Sequence, residues 1–161
     1  MDNFDSIRNW LDLRGMPVTI PREGRRVGTV DNFYYKDETN EVYALRVNGG
    51  IYGFKALASS VISTIERNAI TVENAEMLID ERNFEELSEL PLGDELFDFK
   101  VLSESGSLVG TVANIFLGTY PPVALRLAAF QLAGGKTFSA EEVTRYEKRE
   151  MYILDQAARR L

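Results

Sequence analysis

This chain of 161 residues lacks the commonest general base near neutral pH and the thiol nucleophile. It contains no histidine and no cysteine, which excludes thiolate nucleophiles, disulfides, imidazole general bases, and zinc sites made of thiolate or imidazole. Any catalysis would depend on carboxylates, lysine, tyrosine or hydroxyl groups, and any bound metal would be a hard cation with oxygen ligands. Clusters of carboxylates are therefore the first candidates for chemistry.

The first such cluster is Asp37-Glu-Thr-Asn-Glu41. It lacks the alternating ligand spacing and the terminal glutamate of a calcium loop, so a solvated turn between strands is favoured. Gly134-Gly-Lys-Thr137 is similar to the end of a phosphate-binding loop, but Phe130 stands where that loop requires glycine. We predict no catalytic residue, no metal site and no cofactor. A hydrolase or transferase that uses carboxylates is the alternative, although nothing pairs a nucleophile with a base.

A second cluster of carboxylates lies in the middle of the chain. Residues 76–95 carry eight acidic residues and one basic residue, so their net charge of −7 equals that of the whole chain. Phe84 and Leu87 are three residues apart, so a helix capped by Asp80 could dock on one face while its glutamates face water. The glutamates that we predict to contact a basic protein partner are Glu81, Glu85, Glu86 and Glu89. The alternative is a solvated surface that keeps the protein soluble.

Aromatic residues supply the other candidate contacts. Tyr34, Tyr35 and Tyr52 belong to a group of aromatics larger than one small core needs, so exposed members would mark a contact surface. Filling of the core is the alternative for each of them. The basic clusters, such as Arg25-Arg26, are short, and the isoelectric point is about 4.7. We therefore expect no strong direct binding of nucleic acid.

These candidates sit on a chain that repeats itself. The stretch from Gly24 to Asn32 returns 82 residues later, from Gly106 to Asn114. Six pairs of positions are identical, namely Gly24 and Gly106, Val27 and Val109, Gly28 and Gly110, Thr29 and Thr111, Val30 and Val112, and Asn32 and Asn114. The repeat predicts one small module built twice. The predicted domains are residues 1–75, an acidic helical connector at 76–91, and residues 92–161.

The composition between turn signals predicts strands in both halves. In the first half they lie near 16–20, 26–35, 42–48, 51–55 and 69–73, and in the second near 96–102, 108–117, 123–129, 131–133 and 150–155. Gly28 and Gly110, with Asn32 and Asn114, predict bends or bulges in the long strand of each half. Matching residues 44–46 to residues 124–126 gives an offset of 80, which predicts a second hairpin two residues shorter.

The N-terminal residues show helical spacing. Phe4, Ile7, Trp10 and Leu11 fall on one face of a short amphipathic helix, and we expect Trp10 to pack this helix on the first module. Small halves of this size are marginal alone, so we expect the two halves to pack together or to lean on the flanking segments.

The repeated residues resemble the PRC-barrel domain. The resemblance rests on Gly15-Met-Pro-Val18, the turn ending at Gly24, Val27-Gly-Thr-Val30, the hairpin into 44–47, Val61, and the strand near Ile70. The second copy matches from Val101 but has Phe97-Asp-Phe-Lys100 in place of the opening motif. This domain occurs in the cytoplasmic part of the photosynthetic reaction-centre H subunit and in the C-terminal part of RimM-type ribosome maturation factors.

The resemblance implies a mainly β fold of two tandem small antiparallel PRC-type β-barrels, with short helices at the N-terminus and in the connector. It implies a non-enzymatic protein-binding or adaptor module that assists assembly of a photosynthetic membrane complex or of the ribosome. No apolar run approaches the length of a membrane span, so we expect no transmembrane segment. Any association with a membrane complex would then be peripheral. The acidic N-terminus lacks the features of a secretory signal, and we expect the cytoplasm.

Overall fold

The computed structural model describes residues 7–120 and 124–161. The strands are β1 (Ile7–Asn9), β2 (Pro17–Ile20), β3 (Arg25–Tyr35), β4 (Val42–Asn48), β5 (Phe54–Ala58), β6 (Thr64–Ile65), β7 (Ile70–Thr71), β8 (Leu78–Asp80), β9 (Lys100–Ser103), β10 (Leu108–Tyr120), β11 (Ala124–Leu132), β12 (Thr137–Ser139), β13 (Val143–Glu147) and β14 (Glu150–Ile153). The α-helices are α1 (Trp10–Leu13) and α2 (Asp155–Arg160). Short 3-10 helices cover Pro21–Glu23, Gly50–Tyr52, Ser59–Val61, Ala75–Met77, Glu81–Asn83, Glu85–Glu89, Gly93–Leu96 and Ala140–Glu142.

The strands form two sheets with one shared order. The first sheet runs β6-β7-β2-β3-β4-β5-β8, and the second runs β13-β14-β9-β10-β11-β12, with β1 added beside β10. The strand pairs are antiparallel except for β2 with β7 and β9 with β14, which are parallel in both halves. The prediction of a mainly β fold is confirmed. No closed barrel is found in residues 7–120 and 124–161, because no pairing joins the two end strands of either sheet.

The long strands β3 and β10 share their irregularities. Gly28 lies opposite Val18 and Gly110 lies opposite Val101, and the residue before each glycine is skipped in the pairing. A second skip precedes Asn32 in β3 and Asn114 in β10. These are the bulges that the glycines and asparagines predict, and they bend each strand between its two neighbours.

The turn before each sheet is also shared, although its sequence is not. In the first half the Gly15 N–H donates to the Val30 carbonyl at 2.8 Å, and in the second the Asp98 N–H donates to the Val112 carbonyl at 2.9 Å. Both turn residues have positive φ, 92° for Gly15 and 69° for Asp98. Phe97-Asp-Phe-Lys100 therefore occupies the place of the opening glycine motif, with an aspartate in the left-handed conformation that asparagine and aspartate tolerate best after glycine.

The predicted pairing of the second hairpin is wrong. Val30 faces Val47 and its counterpart Val112 faces Leu132, so β4 and β11 correspond at an offset of 85 rather than 80. The second hairpin is consequently three residues longer than the first, not two residues shorter. The Ala-Leu-Arg identity is a coincidence of composition, because strand register is set by the turns and the buried face rather than by local identity.

Each half lends a segment to the long strand of the other. Strand β1, before the first half, pairs with residues Phe116–Gly118 of β10. Leu92, before the second half, forms a bridge with Tyr34 of β3, and the Tyr35 N–H donates to the Pro91 carbonyl at 3.2 Å. Strand β1 and Leu92 thus pair with parts of β10 and β3 whose backbone groups would otherwise be exposed at a sheet edge. Covered edges cannot pair with the sheet of another molecule.

Two predicted helices are wrong, because both lie in these pairing segments or next to them. Residues Ile7–Asn9 form a strand instead of helical turns, and Asn9 caps the single turn of α1 through its side chain; Phe4 lies outside the described residues. The acidic connector is a strand, β8, followed by 3-10 turns rather than an α-helix. A spacing of three between Phe84 and Leu87 suits the 3-10 period, in which residues i and i+3 eclipse.

One core joins the two halves at Phe33. This ring is fully buried, with the Trp10 indole against it edge to face at a centroid distance of 4.8 Å. A Cβ placed on Gly93 would lie 2.1 Å from the Phe33 ring, so only glycine fits there. Beside it the Asn32 Oδ1 accepts the N–H groups of Phe33 at 2.9 Å and Asp94 at 3.0 Å. The Asp94 carboxylate in turn accepts the Trp10 indole N–H at 2.7 Å.

The turn between β3 and β4 makes a second contact between the halves. The Leu127 N–H donates to the Asn40 carbonyl at 2.7 Å, and the Asn40 side chain bonds the Ala140 carbonyl and the Tyr146 hydroxyl. Asn40 itself has a positive φ of 64°. The carboxylate-rich turn at residues 37–41 therefore helps to join the two halves, which pack together as expected for modules of this size.

The repeated glycines give a first testable difference between the halves. A Cβ on Gly28 would lie 2.6 Å from Val47 Cγ1 and 2.7 Å from the Asn48 carbonyl oxygen, whereas on Gly110 it would meet the Leu132 side chain, whose nearest atom, Cδ1, lies 3.3 Å away. Because backbone cannot yield as a side chain can, we expect Gly28→Ala to lower the unfolding free energy by about 2 kcal/mol. Gly110→Ala should cost less than about 1 kcal/mol. Urea denaturation of both variants tests this, and equal losses would contradict it.

The repeated asparagines give a second difference. Asn32→Ala leaves two backbone N–H groups without their acceptor in a site that is 8% exposed, at about 3 kcal/mol in total. Asn114 donates only to Gln131 Oε1 at 3.2 Å, and its own Oδ1 is buried without a partner among the described residues. Asn114→Ala should therefore cost about 1 kcal/mol or less. Thermal unfolding of the matched pair measures the difference, and an Asn114 loss as large as that of Asn32 would refute this account.

Candidate partner-binding groove

An open groove of about 1140 Å³ lies between the acidic segment and the first sheet. We call it the acidic groove. Its lining residues are Tyr34, Lys36, Tyr43, Glu81, Arg82, Phe84, Glu85, Glu86, Leu87, Ser88, Glu89, Leu90, Pro91, Leu92 and Glu95. Five glutamates against one lysine and one arginine give it negative charge, and the apolar members give it a floor.

The floor is a small core of its own. Tyr34, Ala44 and Ala56 point from β3, β4 and β5 to the outer face of the first sheet, and Leu87 is buried against them. Phe84, Leu90 and Leu92 pack around this cluster and are only partly buried. The 3-10 turns place these apolar residues on the sheet and leave the glutamates between them at the surface. The groove thus has apolar surface within reach of its acidic rim.

The segment is tied to the sheet by Glu81. Its carboxylate accepts the Arg46 Nε–H at 2.8 Å and also accepts the Tyr34 hydroxyl. Arg46 donates from its other side to Asp31 Oδ2 at 3.0 Å and stacks on the Phe54 ring at 3.7 Å. Burial alone would raise the pKa of Glu81, but the hydrogen bonds from Arg46 and Tyr34 outweigh it and lower that pKa. Burial and the Glu81 carboxylate raise the pKa of Tyr34, which stays a neutral donor.

Tyr43 of β4 makes a second contact between the sheet and the acidic segment. The Tyr43 hydroxyl donates to Glu86, and its ring meets Phe84 edge to face at 5.9 Å. The Lys36 ammonium lies over the Tyr43 ring, 4.6 Å from its centroid. Glu85 and Glu89 are exposed. The rim therefore offers carboxylates to a ligand while Glu81 holds the segment in place.

The structure separates the predicted contact residues. Glu85, Glu86 and Glu89 line the rim of the groove as predicted contact residues. Glu81 also lines the groove, but its carboxylate is bound by Arg46 and Tyr34 and is therefore not a free surface charge. Tyr35 is 3% exposed and packs against the Tyr146 ring at 5.9 Å, so it belongs to the core and offers no surface to a partner.

Tyr34 and Tyr52 lie in opposite environments. Tyr34 is buried in the floor of the groove, whereas Tyr52 is exposed on the turn between β4 and β5 and lies outside the groove. The repeat motif serves the fold: Val30 and Val112 are core residues, Val27 and Val109 pack against that core, and Gly24 and Gly106 take positive φ in turns.

Sequence reasoning missed Arg46, which lies beside the groove and holds Glu81 in place. The signal available for Arg46 is its place on β4, between two buried residues and on the opposite face from them. A cation there needs carboxylates on the outer face of the sheet, which Asp31 and Glu81 supply. Only the pairing of β3 with β4, of β4 with β5 and of β5 with β8 shows that these two acids lie near it.

The other motifs from the sequence have structural places. Gly134 and Gly135 form the turn between β11 and β12 with φ of 105° and 103°. Within residues 7–120 and 124–161, no group of three or more acidic residues has the geometry of a metal site. A search of the same residues finds no helix that is both long enough and apolar enough to cross a membrane.

Comparison with known protein families gives no matching family model, and comparison with curated proteins gives no match. The inference of function consequently depends on the groove and on the repeat themselves.

The ion pair between Glu81 and Arg46 predicts a pH-dependent stability. Because folding lowers the pKa of Glu81, its stabilising effect is complete above the ordinary glutamate pKa and is lost as pH falls through the lowered value. Glu81→Gln should lower the unfolding free energy by about 1–2 kcal/mol at neutral pH. This difference from the wild type should disappear in acid. Glu85→Gln removes the same charge from an exposed position and serves as the control. A Glu81 effect that does not change with pH would contradict the role of this ion pair.

Proposed function

We propose that this protein is a non-enzymatic adaptor of the PRC-barrel type, built as a tandem pair, that binds a basic protein segment in the acidic groove. The observation that carries the proposal is the groove itself, in which partly buried apolar residues lie beside a rim of glutamates. Fully buried interface cores need apolar surface, and polar rims give orientation and specificity. A basic segment with apolar residues at intervals has complementary chemistry on both counts.

The carboxylates support binding rather than acid–base catalysis. Catalytic carboxyl groups are commonly held at a raised pKa by burial or by like charges. Among the described residues, arginines hold the pKa of Asp80, Glu81 and Glu142 low. We therefore prefer the adaptor to the alternative of a carboxylate-based hydrolase or transferase.

The proposed context follows from the resemblance of the repeat. We propose a cytoplasmic protein that assists assembly of a larger complex, either a photosynthetic membrane complex or the ribosome. The shared strand order of the two halves supports a tandem module. In the ribosomal version the basic segment would belong to a ribosomal protein.

A peptide of alternating lysine and leucine is a suitable probe for the groove, with a lysine-only peptide of equal charge as reference. We expect the alternating peptide to bind more tightly, and its affinity to fall with salt. Changing Glu85, Glu86 and Glu89 together to glutamine should weaken it about tenfold, at about 0.5 kcal/mol per exposed charge pair. Fluorescence anisotropy across a salt series measures both effects.

The control is a second triple variant in which Glu38, Glu104 and Glu141 become glutamine. These residues are exposed and lie outside the groove, so the control removes the same charge from elsewhere. An equal loss of affinity in both variants would mean that only net charge matters and would overturn the proposal. Recovery of a cellular partner by the wild type and the control, but not by the groove variant, would then identify the partner.

A further inference from the structure

The turn between β4 and β5 exposes two apolar side chains. Ile51 is 94% exposed and Tyr52 is 75% exposed. The turn is not loose, because the Gly49 N–H donates to the Gly53 carbonyl at 2.8 Å and the Gly50 N–H donates to Asn48 Oδ1 at 2.9 Å. The fold thus holds both side chains out in water, where burying them would be favourable.

The fold does not require apolar residues at this place. The corresponding turn of the second half, between β11 and β12, reads Ala133-Gly-Gly-Lys136 and is exposed throughout. It connects equivalent strands in the same sheet order. Ile51 and Tyr52 are therefore features of the first half alone, and folding gives no reason for them.

Positive charge lies beside these two residues. A hollow of about 710 Å³ next to the turn is lined by Arg25, Arg26 and Lys55, with the Tyr52 ring at its side, and its lining includes no acidic residue. Glu23 lies outside this lining and reaches Arg25 at 3.4 Å, with both side chains about half exposed. In a chain with a net charge of −7, this turn is a local basic surface.

The exposed glutamates of the acidic groove lie far from this turn, although Asp80 lies opposite Lys55 in the pairing of β5 with β8 and offsets part of its charge. Tyr43, which bonds Glu86 of the groove, lies near the start of β4, and the turn follows Asn48 at its end. Five residues of extended strand span about 17 Å. The screening length at physiological ionic strength is about 8 Å, so the charges that matter at the turn are those of Arg25, Arg26 and Lys55 against Glu23 and Asp80, which leaves a positive excess.

We propose that this turn docks the protein on a membrane surface that contains anionic lipids. Ile51 and Tyr52 enter the interface, a region in which tyrosine is enriched at the headgroup level. Arg25, Arg26 and Lys55 then lie at the level of the lipid phosphates. Juxtamembrane cations each contribute a several-fold gain in affinity for anionic surfaces.

A bilayer fits this surface better than an acidic polypeptide. Ile51 is not part of the lining of the basic hollow, so an extended acidic chain bound there would leave its side chain in water. A planar surface that meets the turn head-on contacts Ile51, Tyr52 and the flanking cations together.

The absence of cysteine allows a direct test. A single cysteine introduced by Ile51→Cys takes one environment-sensitive dye, and Leu108→Cys, at a position 66% exposed on the second half, is its control. On addition of phosphatidylcholine vesicles that contain phosphatidylserine, the dye at position 51 should shift to the blue and brighten. The dye at position 108 should not change.

Sedimentation with the same vesicles tests the unlabelled protein. The double change Ile51→Ser with Tyr52→Ser should lower the partition coefficient at least tenfold, and Arg26→Gln with Lys55→Gln should lower it by about fivefold per charge. Leu108→Ser and the pair Lys148→Gln with Arg159→Gln are the controls for each, because those residues are exposed elsewhere.

Three results would overturn the proposal. The first is a wild type that does not sediment with anionic vesicles. The second is equal sedimentation of the turn variants and their controls. The third is binding of soluble polyglutamate without binding of vesicles, which would assign the surface to an acidic protein. None of these results depends on whether the acidic groove binds its basic peptide.

Discussion

The contact of Trp10 and Gly93 with the ring of Phe33 is the constraint on which the structure depends. Phe33 belongs to the long strand of the first half, while Trp10 precedes that half and Gly93 precedes the second. The contact fixes where both lead-in segments lie. From it follow the pairing of β1 with β10 and the bridge between Leu92 and Tyr34. Two small modules that would each be marginal alone thereby share one core.

The same contact also determines the path of the acidic segment. Gly93 is held on Phe33, and β8 pairs with β5 as the edge strand of the first sheet, so only residues 81–92 remain to cross the outer face of that sheet. If these twelve residues formed one straight α-helix, its two ends would lie about 18 Å apart. They form short 3-10 turns instead, and Leu87 in the second of these turns is buried against the sheet. The acidic groove is thus a consequence of how the two halves are joined.

The sequence predicted what depends on local pattern. The bulges beside Asn32 and Asn114 and the mainly β fold follow from residue identities at fixed spacing, and the structure confirms both. It did not predict what depends on distant pairing. The helical spacing around Trp10 is real, but an unpaired edge of β10 more than a hundred residues away makes Ile7–Asn9 a strand. The offset between β4 and β11 failed for the same reason, because three matching letters do not fix a register.

The two halves differ in sequence at the places where their contacts differ. For this reason both candidate surfaces lie in the first half. Asn32 bonds two backbone N–H groups where the halves meet, so its surroundings are fixed, whereas Asn114 bonds only Gln131 among the described residues. The first sheet carries an extra edge strand, β8, and with it the acidic segment. Strand β4 then runs between the acidic groove and the basic turn at Asn48, with opposite charge at its two ends. A protein with this arrangement lying on an anionic surface would turn its acidic groove away from that surface, because like charges repel. The groove would then face the solvent, where a basic partner could reach it.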